Sequence, residues 1–289
     1  MNKHKREKLE NLYINRKPTE LHPDIERKDF QEHLDSATKR PDDTPRIERY
    51  LKYLSRLIDL NQCRNIVVIG CGLMPQTVKI LMEKKYNVTG IEPVSSFVRS
   101  AAEYLGSKNI IIQGTAENIP LPDASQHIAF CESVLEHVDS PTKTLAEVYR
   151  VLTPGGIVFI NTTNRYQLTL MGKNAEFRIR YFNWFPRLVK ECIIFHQQHY
   201  KPILAEYSER PAVHWYSYSD LCKLGRDAGF SHFYSFLDLV RTSDDSISKS
   251  KVRKLLLNTV KLNPWLRALF LAQHGGSIIM YKRKSQEKS

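Results

Sequence analysis

Apolar and polar positions alternate along this chain in a way that breaks its middle into strands and helices. Ile66-Val67-Val68-Ile69 is an apolar run with no polar interruption, as in a strand covered on both faces, and the strand is predicted to start at Asn65. It passes directly into Gly70-Cys71-Gly72. A helix is predicted from Thr77 to Lys85, then a second strand from Asn87 to Ile91 that runs into Glu92-Pro93. The alternation continues with a helix over Ser95–Leu105, a strand over Asn109–Gln113, a loop at Gly114-Thr115-Ala116-Glu117 and a strand over His127–Cys131. An amphipathic helix over Pro141–Leu152 follows, closed by a stop and turn at Pro154-Gly155-Gly156, and then a strand over Ile157–Asn161. Such alternation predicts an α/β fold with a mostly parallel sheet.

The flanks differ in pattern. Residues 1 to about 43 are charged and interrupted by Pro18, Pro23 and Pro41, with short helices expected near Lys3–Tyr13 and Asp24–Leu34. Thr44-Pro45 then opens a helix whose Ile47, Tyr50, Leu51, Leu54, Leu57 and Ile58 recur at helical spacing. Beyond residue 165 the alternation stops. Residues 165–213 are aromatic and basic without a strand pattern, and read as a helical insertion or lid. Ser217 or Ser219 caps a further helix that Gly229 ends. Phe233–Leu239 and Ser277–Tyr281 are β-prone runs, the second expected as the last strand, antiparallel at or near the sheet edge. The division is therefore 1–45 as an N-terminal helical extension, 46–164 as the core, 165–213 as the lid and 214–289 as the completion of the core.

Candidate chemistry sits in the first crossover. The glycine turn and the N-terminus of the following helix face one crevice, and Glu92 lies twenty residues past Gly72 at the end of the second strand. This is the layout of a nucleoside-binding βαβ unit, in which the acid accepts hydrogen bonds from ribose hydroxyls. The plain alternative is a tight turn in an ordinary sheet, with Glu92 a solvated loop acid.

Composition narrows the classes. No run reaches the ~18 apolar residues of a membrane span, and Met1-Asn2-Lys3-His4-Lys5-Arg6 has no signal-peptide core. Five cysteines (63, 71, 131, 192 and 222), never in Cys-x-x-Cys spacing, point away from disulfides or a metal site and towards a cytoplasmic protein. The net charge is +12. Part of it lies in Lys249 to Arg267, where basic residues interleave with Leu255, Leu256, Leu257, Val260, Leu262, Trp265 and Leu266. Two readings stay open there: an ordinary amphipathic helix, or a patch for a membrane surface or acidic partner. No nucleic-acid-binding module accompanies the charge.

Five segments in this order resemble the class I S-adenosylmethionine-dependent methyltransferases, in the branch typified by small-molecule and quinone-biosynthesis enzymes. They are Val67-Val68-Ile69-Gly70-Cys71-Gly72, Gly90-Ile91-Glu92-Pro93, Gly114-Thr115-Ala116-Glu117-Asn118-Ile119-Pro120, Glu132-Ser133-Val134-Leu135-Glu136-His137-Val138 and Arg150-Val151-Leu152-Thr153-Pro154-Gly155-Gly156. The resemblance spans residues 46 to 165 and resumes weakly over 215–230. It implies a Rossmann-like seven-stranded, mostly parallel sheet with helices on both faces, and S-adenosyl-L-methionine as cofactor.

By position, the resemblance implies that Gly70 and Gly72 line the amino-acid portion of the cofactor, with Cys71 between them. Glu92, followed by Pro93, holds the ribose hydroxyls. Thr115, Ala116 and Glu117 flank the adenine edge, and Glu132 and Ser133 present main-chain groups near the methionine ammonium. The chain departs from the family pattern at Val68, Met74 and Thr115, where an acid, a glycine and an Asp are usual.

Methyl transfer needs alignment, a dry pocket and at most one base. His137, just past a core strand, is the candidate base, the alternative being a histidine hydrogen-bonded into the loop that shapes the pocket, and Glu136 beside it reads as a solvated loop acid. Asn164, Arg165, Trp184, His214 and Tyr216 are candidates for the acceptor side. The implied reaction is methylation of an oxygen, or a nitrogen, of a small-molecule acceptor such as a secondary metabolite. The alternatives are a membrane-peripheral enzyme acting on a quinone- or lipid-like acceptor, and a degenerate cofactor-binding regulatory protein.

Overall fold

Seven strands form one sheet, in the order β3-β2-β1-β4-β5-β7-β6. They are β1 (Asn65–Ile69), β2 (Asn87–Glu92), β3 (Ile111–Gln113), β4 (Gln126–Glu132), β5 (Leu152–Asn161), β6 (His232–Tyr234) and β7 (Ser277–Tyr281). The computed structural model describes residues 42–166, 185–186, 189 and 214–284. The short helices expected near Lys3–Tyr13 and Asp24–Leu34, and nearly all of the insertion expected over 165–213, lie outside these described residues. Strands β1 to β5 pair in parallel, and β7 runs antiparallel to both β5 and β6, one strand in from the edge. The α/β, mostly parallel sheet read from the sequence is the sheet observed. The strand order reverses between β1 and β4, which opens a crevice at the carboxyl ends of the parallel strands.

Alternating residues of the central strands feed two cores. Ile66 and Val68 of β1 point to a layer with helices α1 (Thr44–Leu54), α2 (Gln76–Glu83) and α3 (Ser95–Leu105). Val67 and Ile69 point to the opposite layer, with α4 (Pro141–Val151) and α5 (Tyr218–Asp227). This two-sided burial explains why β1 reads as an uninterrupted apolar run. Helices thus cover both faces, and the stripe on α1 lies against the sheet through Ile47, Tyr50, Leu51 and Leu54.

Three elements depart from the sequence reading. Phe233–Leu239 is not a continuous strand. Asp238 Oδ2 accepts from the Ser235 N–H (2.7 Å) and the Asp238 N–H donates to Ser235 Oγ (3.4 Å), a capping box that ends β6 and starts the one-turn helix α6 (Phe236–Leu239). β5 begins at Leu152, five residues early, and takes in Pro154-Gly155-Gly156 as an irregularity in its pairing with β4. Proline cannot donate to the ladder, and Gly155 holds a φ of 84°, so the strand bulges there rather than ending. After α7 (Asp245–Ser248), the basic stretch from Lys249 forms two helices, α8 (Lys251–Leu262) and α9 (Pro264–His274). Asn263 closes the first and caps the second, accepting from the N–H groups of Trp265 (2.9 Å) and Leu266 (3.1 Å). Among the described residues no helix is long and apolar enough to cross a membrane.

One buried ion pair ties α1 to this C-terminal part. Arg56 donates to both carboxylate oxygens of Asp244 and to the Leu239 carbonyl, Lys52 lies 3.2 Å from Asp244, and the Arg241 N–H donates to Asp244 Oδ2 at 2.8 Å. The Arg56 hydrogen bonds hold the Asp244 carboxyl well below the usual carboxylate range. A carboxyl group with a depressed folded pKa contributes stability that is complete above its unfolded value, near ~3.9, and that fades as pH falls below it. Asp244→Ala is expected to cost about 3–5 kcal/mol in chemical denaturation at neutral pH, since it strands Arg56. The stability difference between wild type and Asp244→Ala should shrink as pH drops from about 5 towards 2.

Candidate functional site

A cleft of about 990 Å³ lies at the carboxyl ends of β1, β2 and β4, beneath the glycine turn. Its wall includes every cofactor candidate read from the sequence: Gly70, Cys71, Gly72, Glu92, Pro93, Thr115, Ala116, Glu117, Glu132 and Ser133. It also includes His137, and Val68 and Met74 from the departures noted above.

The turn after β1 owes its shape to two glycines. Gly70 and Gly72 hold φ values of 65° and 71°, in the left-handed region that other residues enter only at a cost. A Cβ on Gly70 would meet Val134 Cγ2 at 2.3 Å, so the β4 loop packs directly on its backbone. A Cβ on Gly72 would meet nothing within 4 Å, because that position opens onto the cleft. The N–H groups of Gly70 and Cys71 donate to the Ile91 carbonyl (2.8 and 3.2 Å), which extends the β1–β2 pairing into the turn.

Glu92 completes the turn. It is 4 % exposed. Its Oε2 accepts from the Gly72 N–H at 2.9 Å and its Oε1 from the Val94 N–H at 3.1 Å. The reading of Glu92 as a solvated loop acid is therefore excluded. Each carboxylate oxygen has a second lone pair, so two neighbouring hydroxyls can still donate to it. Cys71, beside it, is not set up as a nucleophile: burial pushes its thiol well above the ordinary range, and the nearby Glu92 charge adds to that.

The opposite wall is charged. Arg46 on α1 donates to Glu132 at the end of β4 and forms two bonds to Asp43, Nε to Oδ1 at 3.1 Å and Nη2 to Oδ2 at 2.9 Å. Burial pushes the Glu132 carboxyl up, and Arg46 pulls it part of the way back. Ser133, next in the chain, has a φ of 54°, uncommon for a residue with a side chain, and its N–H donates to the Asn161 carbonyl at 2.8 Å. Neither Asp43 nor Arg46 was singled out in the sequence. The readable signal was local: an acid just before the Thr44-Pro45 helix start, with an arginine three residues on.

The loop carrying His137 is braced from several sides. Its N–H donates to the Val134 carbonyl at 2.8 Å. Glu117 Oε1 accepts from the N–H groups of Asp139 (2.8 Å) and Ser140 (3.4 Å), just ahead of α4. Glu136 is buried rather than solvated, and takes the Thr162 hydroxyl at 2.6 Å.

Four acceptor-side candidates, Asn164, Arg165, His214 and Tyr216, fall outside the cleft wall. His214 Nε2 lies 3.0 Å from the Val138 carbonyl, and the Tyr216 hydroxyl donates to the Leu135 carbonyl at 3.0 Å, so both support the loop from behind. Asn164 Nδ2 donates to the Ala272 carbonyl at 2.9 Å. Arg165 donates to the Trp215 carbonyl at 3.0 Å and pairs with Asp220 at 3.3 Å. Trp184 lies outside the described residues. Among the described residues no cluster of His, Cys, Asp or Glu is arranged to hold a metal ion.

Comparison with known proteins agrees with this geometry. Residues 67–160 match the family described as a methyltransferase domain. The chain is 28% identical over 123 residues to a ubiquinone biosynthesis O-methyltransferase from Rickettsia akari, covering 40% of this chain and 44% of that protein. It is 28% identical over 103 residues to a malonyl-[acyl-carrier protein] O-methyltransferase from Serratia marcescens, covering 36% and 40%. The alignments thus span about half the length of such relatives, or less. Among solved structures, a putative sarcosine dimethylglycine methyltransferase from Galdieria sulphuraria superposes with a TM-score of 0.50 over 83% of this chain and 86% of its own, at 15% identity, a likeness of fold alone. The parallel core, matched over residues 67–160 by the methyltransferase domain and set in a sheet of this order, is thus similar to that of the class I S-adenosylmethionine-dependent methyltransferases.

Proposed function

We propose that the chain methylates an oxygen of a small-molecule acceptor, using S-adenosyl-L-methionine held in the cleft. The observation that carries this reading is Glu92, a buried carboxylate aimed by two backbone amides beside an open glycine turn. The relatives' names, both O-methyltransferases, support oxygen as the acceptor atom.

The residues fit the cofactor. Gly70, Cys71 and Gly72 offer bare backbone to its amino-acid portion, and Glu92 accepts from the two ribose hydroxyls. Pro93, Thr115, Ala116 and Glu117 flank the adenine edge, while Glu132 and Ser133 lie towards the ammonium group. Arg46 and Lys143 also line the cleft and offer cationic groups to the carboxylate. The bound sulfonium supplies an activated methyl group, so the protein's work is alignment and exclusion of water. His137, which lines the cleft, would accept the proton the attacking hydroxyl loses.

Calorimetry on the purified chain with S-adenosylmethionine and with its demethylated product tests the reading, and binding of neither would defeat it in favour of a degenerate, regulatory fold. Glu92→Ala is expected to weaken cofactor affinity roughly ten- to a thousandfold, as for losing charge-assisted hydrogen bonds of ~1.5–3 kcal/mol each. Unchanged affinity in a folded variant would refute the ribose assignment. For His137→Ala, turnover should fall roughly a hundredfold with cofactor affinity nearly intact. Full turnover in that variant would leave the histidine a loop residue only.

A further inference from the structure

Helices α8 and α9 form a hairpin that presents its apolar side chains outward. On α8 the exposed positions Val252, Leu255, Leu256 and Thr259 follow helical spacing, and Leu262 continues the line. On α9 the exposed apolar residues are Trp265, Leu266 and Leu269. Trp265 is 85% and Leu262 84% exposed, so the apex between the helices is the most uncovered apolar point among the described residues. A surface helix of a soluble domain turns its apolar stripe inward; here neither helix has a fully buried residue.

The charge on this hairpin has one sign. Lys249, Lys251, Arg253, Lys254, Lys261 and Arg267 accompany the stripe, and no Asp or Glu occurs between Asp245 and Glu287. Two of the cations fasten the hairpin to the fold: Lys261 Nζ donates to the Val240 carbonyl at 2.6 Å, and Arg267 pairs with Asp238 at 2.7 Å. A second copy of this chain would set cation against cation across such an interface. A surface that offers anionic groups above an apolar layer complements both features at once.

The placement is also informative. α9 leads into β7, whose Ser277 pairs with Asn161 at the carboxyl end of β5, its hydroxyl donating to Asn161 Oδ1 at 2.8 Å. Asn161 lines the cleft. The hairpin therefore roots on the same edge of the sheet as the cleft.

We infer that the α8–α9 hairpin docks the protein on a bilayer containing anionic phospholipid. Leu262, Trp265 and the α8 stripe enter the headgroup–acyl boundary, while the flanking lysines and arginines meet the lipid phosphates. The inference is independent of the methyl-transfer reading, because it concerns a surface outside the cleft and its readout is binding alone.

Flotation of the full chain with vesicles tests it. Phosphatidylcholine vesicles doped with phosphatidylglycerol should carry the protein, and pure phosphatidylcholine vesicles should carry it at least roughly tenfold less, with the difference shrinking as salt is raised. The double variant Leu262→Ser/Trp265→Ala changes only exposed side chains and should retain the wild-type circular dichroism spectrum. It should lose binding by roughly tenfold or more, and Lys251→Gln/Lys254→Gln should lose it specifically on the anionic vesicles. Absence of flotation with either vesicle overturns the inference, as do equal binding to both vesicles and undiminished binding of the folded Leu262→Ser/Trp265→Ala variant. Sedimentation velocity showing self-association that this variant abolishes, without flotation, assigns the face to a second copy. Retention on immobilised polyglutamate without flotation assigns it to an acidic protein.

Discussion

The pair of bonds from the Gly72 and Val94 amides to the Glu92 carboxylate is the constraint on which the site depends. It joins the turn after β1 to the turn after β2, beyond the last β1–β2 pair at Ile69 and Ile91 and the two amide bonds that continue it to Cys71. A buried carboxylate without donors would be costly to keep ionised. Here the backbone supplies the donors, so the same bonds that hold the charge in place also shape the glycine turn around it. Gly70 and Gly72 give the turn its left-handed backbone, and a side chain at Gly70 would drive Val134 away. Charge, turn and neighbouring loop are thus one coupled arrangement.

The far wall is ordered by a different device. Glu132, Ser133 and the loop up to Ser140 leave the sheet at β4, and charged side chains of the loop and of its neighbours hold them. Glu117 takes two amides ahead of α4, Glu136 takes Thr162, and Arg46 closes on Glu132 from α1. Ser133 holds its left-handed backbone because its N–H is bonded to Asn161 while Glu132 is paired beside it. His137 therefore stands on a loop braced from several sides, at the wall of the cleft.

The sheet and the donor side of the cleft were legible because their signals are local. A doubly buried parallel strand announces itself as Ile66 to Ile69, the turn as two glycines, and the acid by its distance along the chain. Where the reading failed, the deciding interaction was between neighbours too close for a periodicity argument or too distant for any. The Ser235–Asp238 capping box turned a β-prone run into a helix, and the Gly155 bulge let β5 pass through a Pro-Gly-Gly turn. Glu136 reads as a solvated acid until Thr162, on another strand's end, is placed against it. Arg46 was in plain view, but its partner Glu132 is eighty-six residues away.

That distinction bears on what the family likeness can convey. The matched residues, 67–160, contain the glycine turn, Glu92, the Thr115–Glu117 loop and the Glu132–His137 segment, all of which contribute to the cleft wall. The groups that brace His137 from behind come from elsewhere: His214 reaches Val138 across seventy-six positions, and Tyr216 reaches Leu135 across eighty-one. The first set is held by bonds between adjacent strand ends, and the loop behind it by contacts from segments outside the parallel core. The backing of the loop that carries His137 therefore comes from elements that the family match does not cover.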